Sequence, residues 1–247
     1  MTHEHEIVKN LTASDTTPHN TFNNCKYCKL ANVCMPLSLP SHAINTLAKH
    51  DKIIHKGHVL FSDTTPFNAI YAVRSGSLKT TLNGDANQAQ ITGFYLPGDI
   101  MGLDGIATNI HTNHAVALET TAVCAIPFSA LEQYTLNTPA LQRPFLQLMS
   151  QEINTNQTQF MQHSQKNAEQ KIAGLLTSIA VRFKHQGFSH STFTLPMSRA
   201  DMANFLGLTV ETISRVLTKL SQQGYLAVDK KNISQLDLSR LAVLSKS

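Results

Sequence analysis

The sequence predicts an α+β chain: a β-barrel of sandwich or jelly-roll type, then a long helix, then a winged helix-turn-helix. Three observations carry that expectation. Short apolar runs punctuated by glycine fill the stretch from Ile53 to Pro127. An apolar stripe at helical spacing follows Pro139, and two capped helices separated by Gly207 lead into a pair of short strands.

At 247 residues, 42% of them hydrophobic, the chain exceeds one ordinary domain and can fill more than one core. The formal charge of +4 permits a nucleic-acid partner without requiring one. Met1 to Glu6 has neither the basic nor the apolar region of a secretory leader, and the best apolar run, Ile172 to Val181, is short and interrupted by Gly174, Thr177 and Ser178. A cytoplasmic protein with no membrane partner is therefore expected, in a compartment that keeps thiols reduced and favours metal over disulfides.

Residues 1–24 are polar and aperiodic and read as a tail. Cys25, Cys28 and Cys34 follow within ten residues, and the fourth cysteine, Cys124, lies far downstream. A C-x2-C step turns two thiolates toward one centre, and the spacer to Cys34 lets the chain wrap round to offer a third. Structural zinc sites usually pair two short hooks, whereas three ligands in one segment plus a remote one suit an iron-sulfur cluster better. A thioredoxin-type pair would sit beside a βαβ pattern that is missing here, and buried filler cysteines would not gather so closely. His19, His42 and His55 read as solvated surface residues.

Leu39 to Ser41 offers an N-cap for a short helix carrying Ile44, Leu47 and Ala48. Strands are expected at Val59 to Phe61, Ala69 to Val73, Ser77 to Leu82, Ile91 to Leu96, Ala115 to Leu118 and Ala122 to Ile126, the last containing Cys124. In the long helix Pro139 suits a first turn, and Leu141, Phe145, Leu148, Met149 and Ile153 make one stripe, either intrachain core or a dimer seam. Asn154 to Gln159 carries no apolar residue, so a seam would be weak there. A further helix from about Asn167 buries Ile172, Leu175, Leu176, Ile179 and Phe183 and stops before Gly187.

The C-terminal region opens with Ser198 and Asp201 spaced as a capping box, and Met202, Phe205 and Leu206 form the inner side of a short helix. After Gly207, Thr209 caps a second helix with Val210, Ile213, Leu217 and Leu220 facing inward and Gly224 ending it. Glu211, Ser214, Arg215, Thr218 and Gln222 then share one outward polar strip, which opens at the end that enters the major groove in this motif. Arg215 can pair with guanine, Glu211 can accept from cytosine, and Ser214 can bond a base or phosphate. A plain solvated face is the competing reading. Gly224 to Val228 and Asn232 to Ser234 read as wing strands with a basic tip, which favours DNA. Thr209, Lys219 and Lys230 complete the candidate contact set.

The order of these parts, with Arg74 to Ser77, Gln90 to Phe94, Pro97 to Asp99, Ala117 to Thr120, Leu148 to Ser150, Lys166 to Glu169 and Leu208 to Arg215, resembles the FNR-type regulators of the Crp/FNR superfamily. The resemblance implies a cyclic-nucleotide-binding-like sensor domain over residues 25–137, a dimerisation helix over 138–166 and a winged helix-turn-helix over 167–247. It also implies an oxygen-labile [4Fe-4S] cluster on Cys25, Cys28, Cys34 and Cys124. A homodimer would read double-stranded inverted repeats of TTGAT type through Glu211, Ser214 and Arg215, and would contact RNA polymerase to regulate anaerobic genes. No arginine lies between Arg74 and Arg143, and Val210 stands where the Crp branch has another, so no cyclic nucleotide is expected. The chain departs from the FNR pattern at Thr64 and Thr65, in the loop Asn83 to Ala89, and at Asn156, where an aspartate is usual. Two alternatives stand beside this regulator: a zinc- or thiol-based regulator with the same DNA domain, and an iron-sulfur enzyme. The enzyme would need an iron left open by its protein ligands, which a fourth cysteine opposes.

Overall fold

The computed structural model describes residues 50–83, 89–137, 139 and 142–246, apart from the side chains of 50, 51 and 158–165. The alternating runs form eight strands: β1 (His50–Ile54), β2 (Val59–Phe61), β3 (Ala69–Ser75), β4 (Leu78–Asn83), β5 (Ala89–Tyr95), β6 (Ile100–Met101), β7 (His114–Ala117) and β8 (Thr121–Pro127). They pair antiparallel in two four-stranded sheets, ordered β1-β8-β3-β6 and β2-β7-β4-β5. Leu60, Phe61, Val73, Leu78, Met101, Ala115, Ala117 and Val123 cluster as a buried core in this barrel. Between β3 and β4, Gly76 has φ of 76°, and a Cβ there would stand 2.5 Å from the Thr121 hydroxyl, so only glycine fits the turn. That hydroxyl in turn accepts from the Ser77 N–H and donates to the Ser77 carbonyl, pinning the turn to β8.

Every strand expected in the barrel is present, and two more in the barrel were not foreseen. The first, β1, opens with the polar His50-Asp51-Lys52 and is held as an edge strand by β8; the other, β6, has only two residues. A helix, α1 (Phe128–Asn137), starts directly after β8 and seats Leu131 among Phe67, Ile70 and Ile126. The long helix α2 runs over Gln142–Gln165, so Pro139 precedes it rather than sitting in its first turn. Pro144 occupies that turn instead, where a missing N–H costs nothing because the first amides have no intrahelical partner. The stripe expected on α2 divides between two faces. Phe145 lies 6.3 Å from Phe128 and Leu148 is buried, whereas Ile153 is 56% exposed. Leu141 and the short helix near Ile44 lie outside the described residues.

The remaining elements are α3 (Ala168–His185), β9 (Phe193–Thr194), α4 (Arg199–Leu206), α5 (Val210–Gln222), β10 (Ala227–Asp229), β11 (Asn232–Ser234) and α6 (Leu238–Leu244). Asn167 and Gln170 close a capping box on α3, whose Ile172, Leu175, Leu176 and Ile179 are buried. The wing sheet has a third strand, in the order β10-β11-β9, that sequence reading did not foresee. One apolar cluster joins α3, α4, α5 and α6 to Ile91, Phe94 and Leu96 of the barrel. None of the described helices is long and apolar enough to cross a membrane.

The expected capping box of α4 is present: Ser198 accepts from the Asp201 N–H at 3.0 Å, and Asp201 accepts from the Ser198 N–H at 2.9 Å. Replacing Ser198 by alanine removes one half of that exchange. Urea unfolding of Ser198→Ala is expected to show a loss of about 1 kcal/mol.

Candidate nucleic-acid interface and thiolate site

Gly207 adopts the left-handed conformation that ends α4, and Thr209 accepts from the Thr212 N–H at 3.1 Å to begin α5. Ile213, Val216, Leu217 and Leu220 are buried, so Glu211, Ser214, Arg215, Thr218 and Gln222 all face outward and exposed. Val210 is not part of the inner face as expected but is 40% exposed. As the first helical residue it directs its Cβ toward the N-terminus, away from the packed turns. Val216 takes the inner place that the sequence reading left empty. The Ser214 hydroxyl donates to the Val210 carbonyl at 3.0 Å and keeps its lone pairs for a partner.

Two basic candidates are placed by backbone and charge. Lys219 pairs its ammonium with Glu169 in the first turn of α3. Lys230 forms the wing tip with φ of 53°, and its carbonyl accepts from the Arg199 guanidinium at 2.9 Å. Lys231 donates to the Pro196 carbonyl at 2.9 Å. The tip is therefore shaped by two cations while the Lys230 side chain stays exposed.

Cys124 lies on β8 opposite Asp51 of β1 and Ala72 of β3. Val123 beside it is buried in the barrel, and Cys124 itself is half-buried, on the opposite face of the sheet. Cys25, Cys28, Cys34, His19 and His42 lie outside the described residues, while His55 is exposed as expected. Among the described residues no three His, Cys, Asp or Glu side chains gather closely enough to hold a metal.

A cavity of about 410 Å³ separates the barrel from α2; its lining includes Thr80, Thr92, Tyr95, Asp104, Glu152 and Asn156, and among the described residues no Lys, Arg or His. Burial raises the Glu152 carboxyl, and the charge of Asp99 adds to that. Burial also raises Asp104, but hydrogen bonds from His111, Thr112 and Asn113 outweigh it and leave that carboxyl below its ordinary value. Among the described residues an anion placed here would meet carboxylates and no cation.

The pairings that join the barrel to the C-terminal helices were absent from the sequence reading. The Lys79 ammonium lies 2.6 Å from Asp201, and the Arg182 guanidinium lies 2.7 Å from Asp99 and 2.8 Å from the Phe94 carbonyl. Burial raises Asp201, and the Lys79 and Ser198 hydrogen bonds with the Lys79 charge outweigh it, holding the carboxyl below the ordinary range. Stability from that carboxylate is fully present above the ordinary carboxylate value and fades only in acid, as pH falls through the lowered one. No local motif marks the Lys79–Asp201 pair, whose members stand 122 positions apart.

A winged helix-turn-helix with an open polar strip, fastened to an antiparallel barrel, defines a DNA-binding regulator rather than an enzyme. Residues 52–137 match the cyclic nucleotide-binding domain family and residues 170–244 the Crp-like helix-turn-helix domain family. The transcriptional activator protein Anr of Pseudomonas aeruginosa is 42% identical over 225 residues, 90% of this chain and 92% of its own. The fumarate and nitrate reduction regulatory protein of Salmonella typhimurium is 37% identical over 248 aligned positions, 99% of this chain and 97% of its own. Among solved structures, FixK2 from Bradyrhizobium japonicum superposes with a TM-score of 0.73 at 26% identity, covering 80% of this chain and 98% of FixK2. The chain belongs to the Crp/FNR family of transcription regulators, in its FNR-type branch.

Proposed function

We propose that this regulator is a cytoplasmic homodimer that senses oxygen through a [4Fe-4S] cluster on Cys25, Cys28, Cys34 and Cys124 and binds inverted repeats of TTGAT type to control anaerobic genes. The observation that carries the reading is the place of Cys124. It sits on the outer side of β8, directly beside β1, the strand by which the cysteine-bearing segment enters the barrel. The stretch from Cys34 to His50 can extend about 50 Å, so all four sulfurs can reach one centre. Four soft thiolates suit iron and sulfide. When bound, such a cluster supplies an oxygen-labile link between the N-terminal segment and the barrel.

The units in this reading are a tail over residues 1–24, a sensor over 25–137, a dimer helix over 138–166 and a DNA-binding unit over 167–247. Glu211, Ser214 and Arg215 read bases, with Thr209, Lys219 and Lys230 as the further DNA contacts. RNA polymerase is the further partner. The carboxylate-lined cavity supports a sensor that takes no cyclic nucleotide, whose phosphate would call for a cation. Anaerobic purification tests the whole: a brown protein with iron and acid-labile sulfide that loses its TTGAT duplex on exposure to air is expected. A colourless zinc protein whose DNA affinity ignores oxygen would overturn it.

The dimer seam lies on α2, where Leu146 and Ile153 are both exposed seven residues apart. Asn156 is exposed one turn beyond Glu152. An aspartate at 156 would meet its own copy across a two-fold seam, and like charges about 4 Å apart at an effective dielectric near 20 repel by roughly 4 kcal/mol before solvation cuts that to about 1–2. Cluster-free Asn156→Asp is therefore expected to dimerise about tenfold more weakly than wild type at low salt. The difference should shrink as salt rises. Sedimentation at matched concentrations measures both trends.

A further inference from the structure

The strand β5 is an edge of its sheet, with β4 on one side only. Such an edge presents N–H and C=O groups that another element must satisfy or water must cover. Asn204 of α4 satisfies two of them: its Oδ1 accepts from the Ile91 N–H at 2.7 Å and its Nδ2 donates to the Ala89 carbonyl at 3.0 Å. That is the pair of bonds a neighbouring strand's peptide would make. It requires a side chain with a donor and an acceptor on one carbon, a carboxamide. Gln90 returns a bond to the Asn204 carbonyl at 2.6 Å.

A charge pair fixes the same helix at its other end. Asp201 spends one oxygen on the Ser198 N–H and hydroxyl that start α4, and the other on Lys79 of β4. Both partners are largely covered, with side-chain exposures of 24% and 15%, so water screens the pair less than it screens a surface one. Phe94 packs on Phe205 with ring centres 5.0 Å apart, and Arg182 of α3 clamps the end of the strand at Phe94 and Asp99. The hairpin β4–β5 also faces α2 across the cavity. Thr80 and Thr92, next to Lys79 and Ile91 and hence on the opposite face, line the cavity with Met149 and Glu152. One two-stranded unit thus faces the dimer helix across the cavity and touches the first helix of the reading head, and none of these contacts covers Glu211, Ser214 or Arg215.

We infer that Lys79, Asp201 and Asn204 are positioning residues that set the separation of the two reading helices and so select the spacing between DNA half-sites. The inference rests on the proposed DNA-binding dimer. A helix-turn-helix dimer must present its two second helices about one turn of DNA apart. A head fixed by directional bonds holds that distance; a head swinging on a tether tolerates several.

Full-length protein, purified without oxygen, is tested as wild type, Lys79→Met, Lys79→Arg and Asn204→Ala. The probes are duplexes with the inverted repeat at one-turn spacing, the same repeat lengthened by two base pairs, and a single half-site. Wild type should strongly prefer the one-turn duplex. Lys79→Met and Asn204→Ala should each bind it about tenfold more weakly, with little change on the lengthened repeat and none on the single half-site. Lys79→Arg should keep the wild-type preference, and Asn204→Ala should speed hydrogen exchange at the Ile91 amide. A spacing preference equal to wild type in both weakened variants overturns the inference and leaves the DNA reading standing. Tighter binding by them would overturn it too, since the contacts would then restrain the head. Wild type that ignores the repeat altogether defeats the DNA reading and the inference together.

Discussion

Cys124→Ser, purified without oxygen, is expected to retain only a minor part of the wild-type iron and acid-labile sulfide. Serine keeps the size of the side chain and exchanges a soft thiolate for a hard hydroxyl oxygen, which binds such a cluster poorly. The site on the outer face of β8 lets this effect be read cleanly. Val123 and Ile126 carry the packing of that strand, so thermal unfolding of the metal-free barrel should shift by no more than about 0.5 kcal/mol. Affinity for a TTGAT duplex should fall together with the iron content, and the response to air should vanish. A full iron and sulfide complement in Cys124→Ser would remove Cys124 from the ligand set.

Arg215→Ala should weaken binding to the cognate duplex by about 1–3 kcal/mol and relax the preference at one base position. Arg215 is exposed on α5 while Ile213, Val216 and Leu217 beside it are buried, so truncating it removes a reading group without opening the core. Lys230→Ala offers the contrast. From the wing tip it should weaken binding to every sequence alike and lower the salt slope by about 1, as expected of a phosphate contact. Competition between cognate and scrambled duplexes separates the two behaviours. If Arg215→Ala loses equally on both, the strip contacts backbone only.

The sequence by itself determined whatever depends on near neighbours along the chain. Ser198 with Asp201, Thr209, Gly207 and Gly224 mark caps and breaks that are visible within four residues, because a helix end must satisfy its own amides locally. Alternation marked the barrel strands in the same way, and the outward strip of α5 followed from helical period alone. Short elements escaped the sequence reading: β1 begins with three polar residues, β6 has two residues, and in the ten residues of α1 only Leu131 is fully buried. Tertiary structure decided which face each apolar residue joined, so that Leu148 is buried while Ile153 is left exposed, and Val210 is left outside the turn it begins. It also decided the partners of charged and amide groups. Lys219 meets Glu169, Lys79 meets Asp201 and Asn204 completes the edge of β5 across separations of 50, 122 and 113 residues. Such pairs exist only once the barrel and the helices have packed, because the energy of a contact depends on distance in space and leaves no periodic trace in the order of residues.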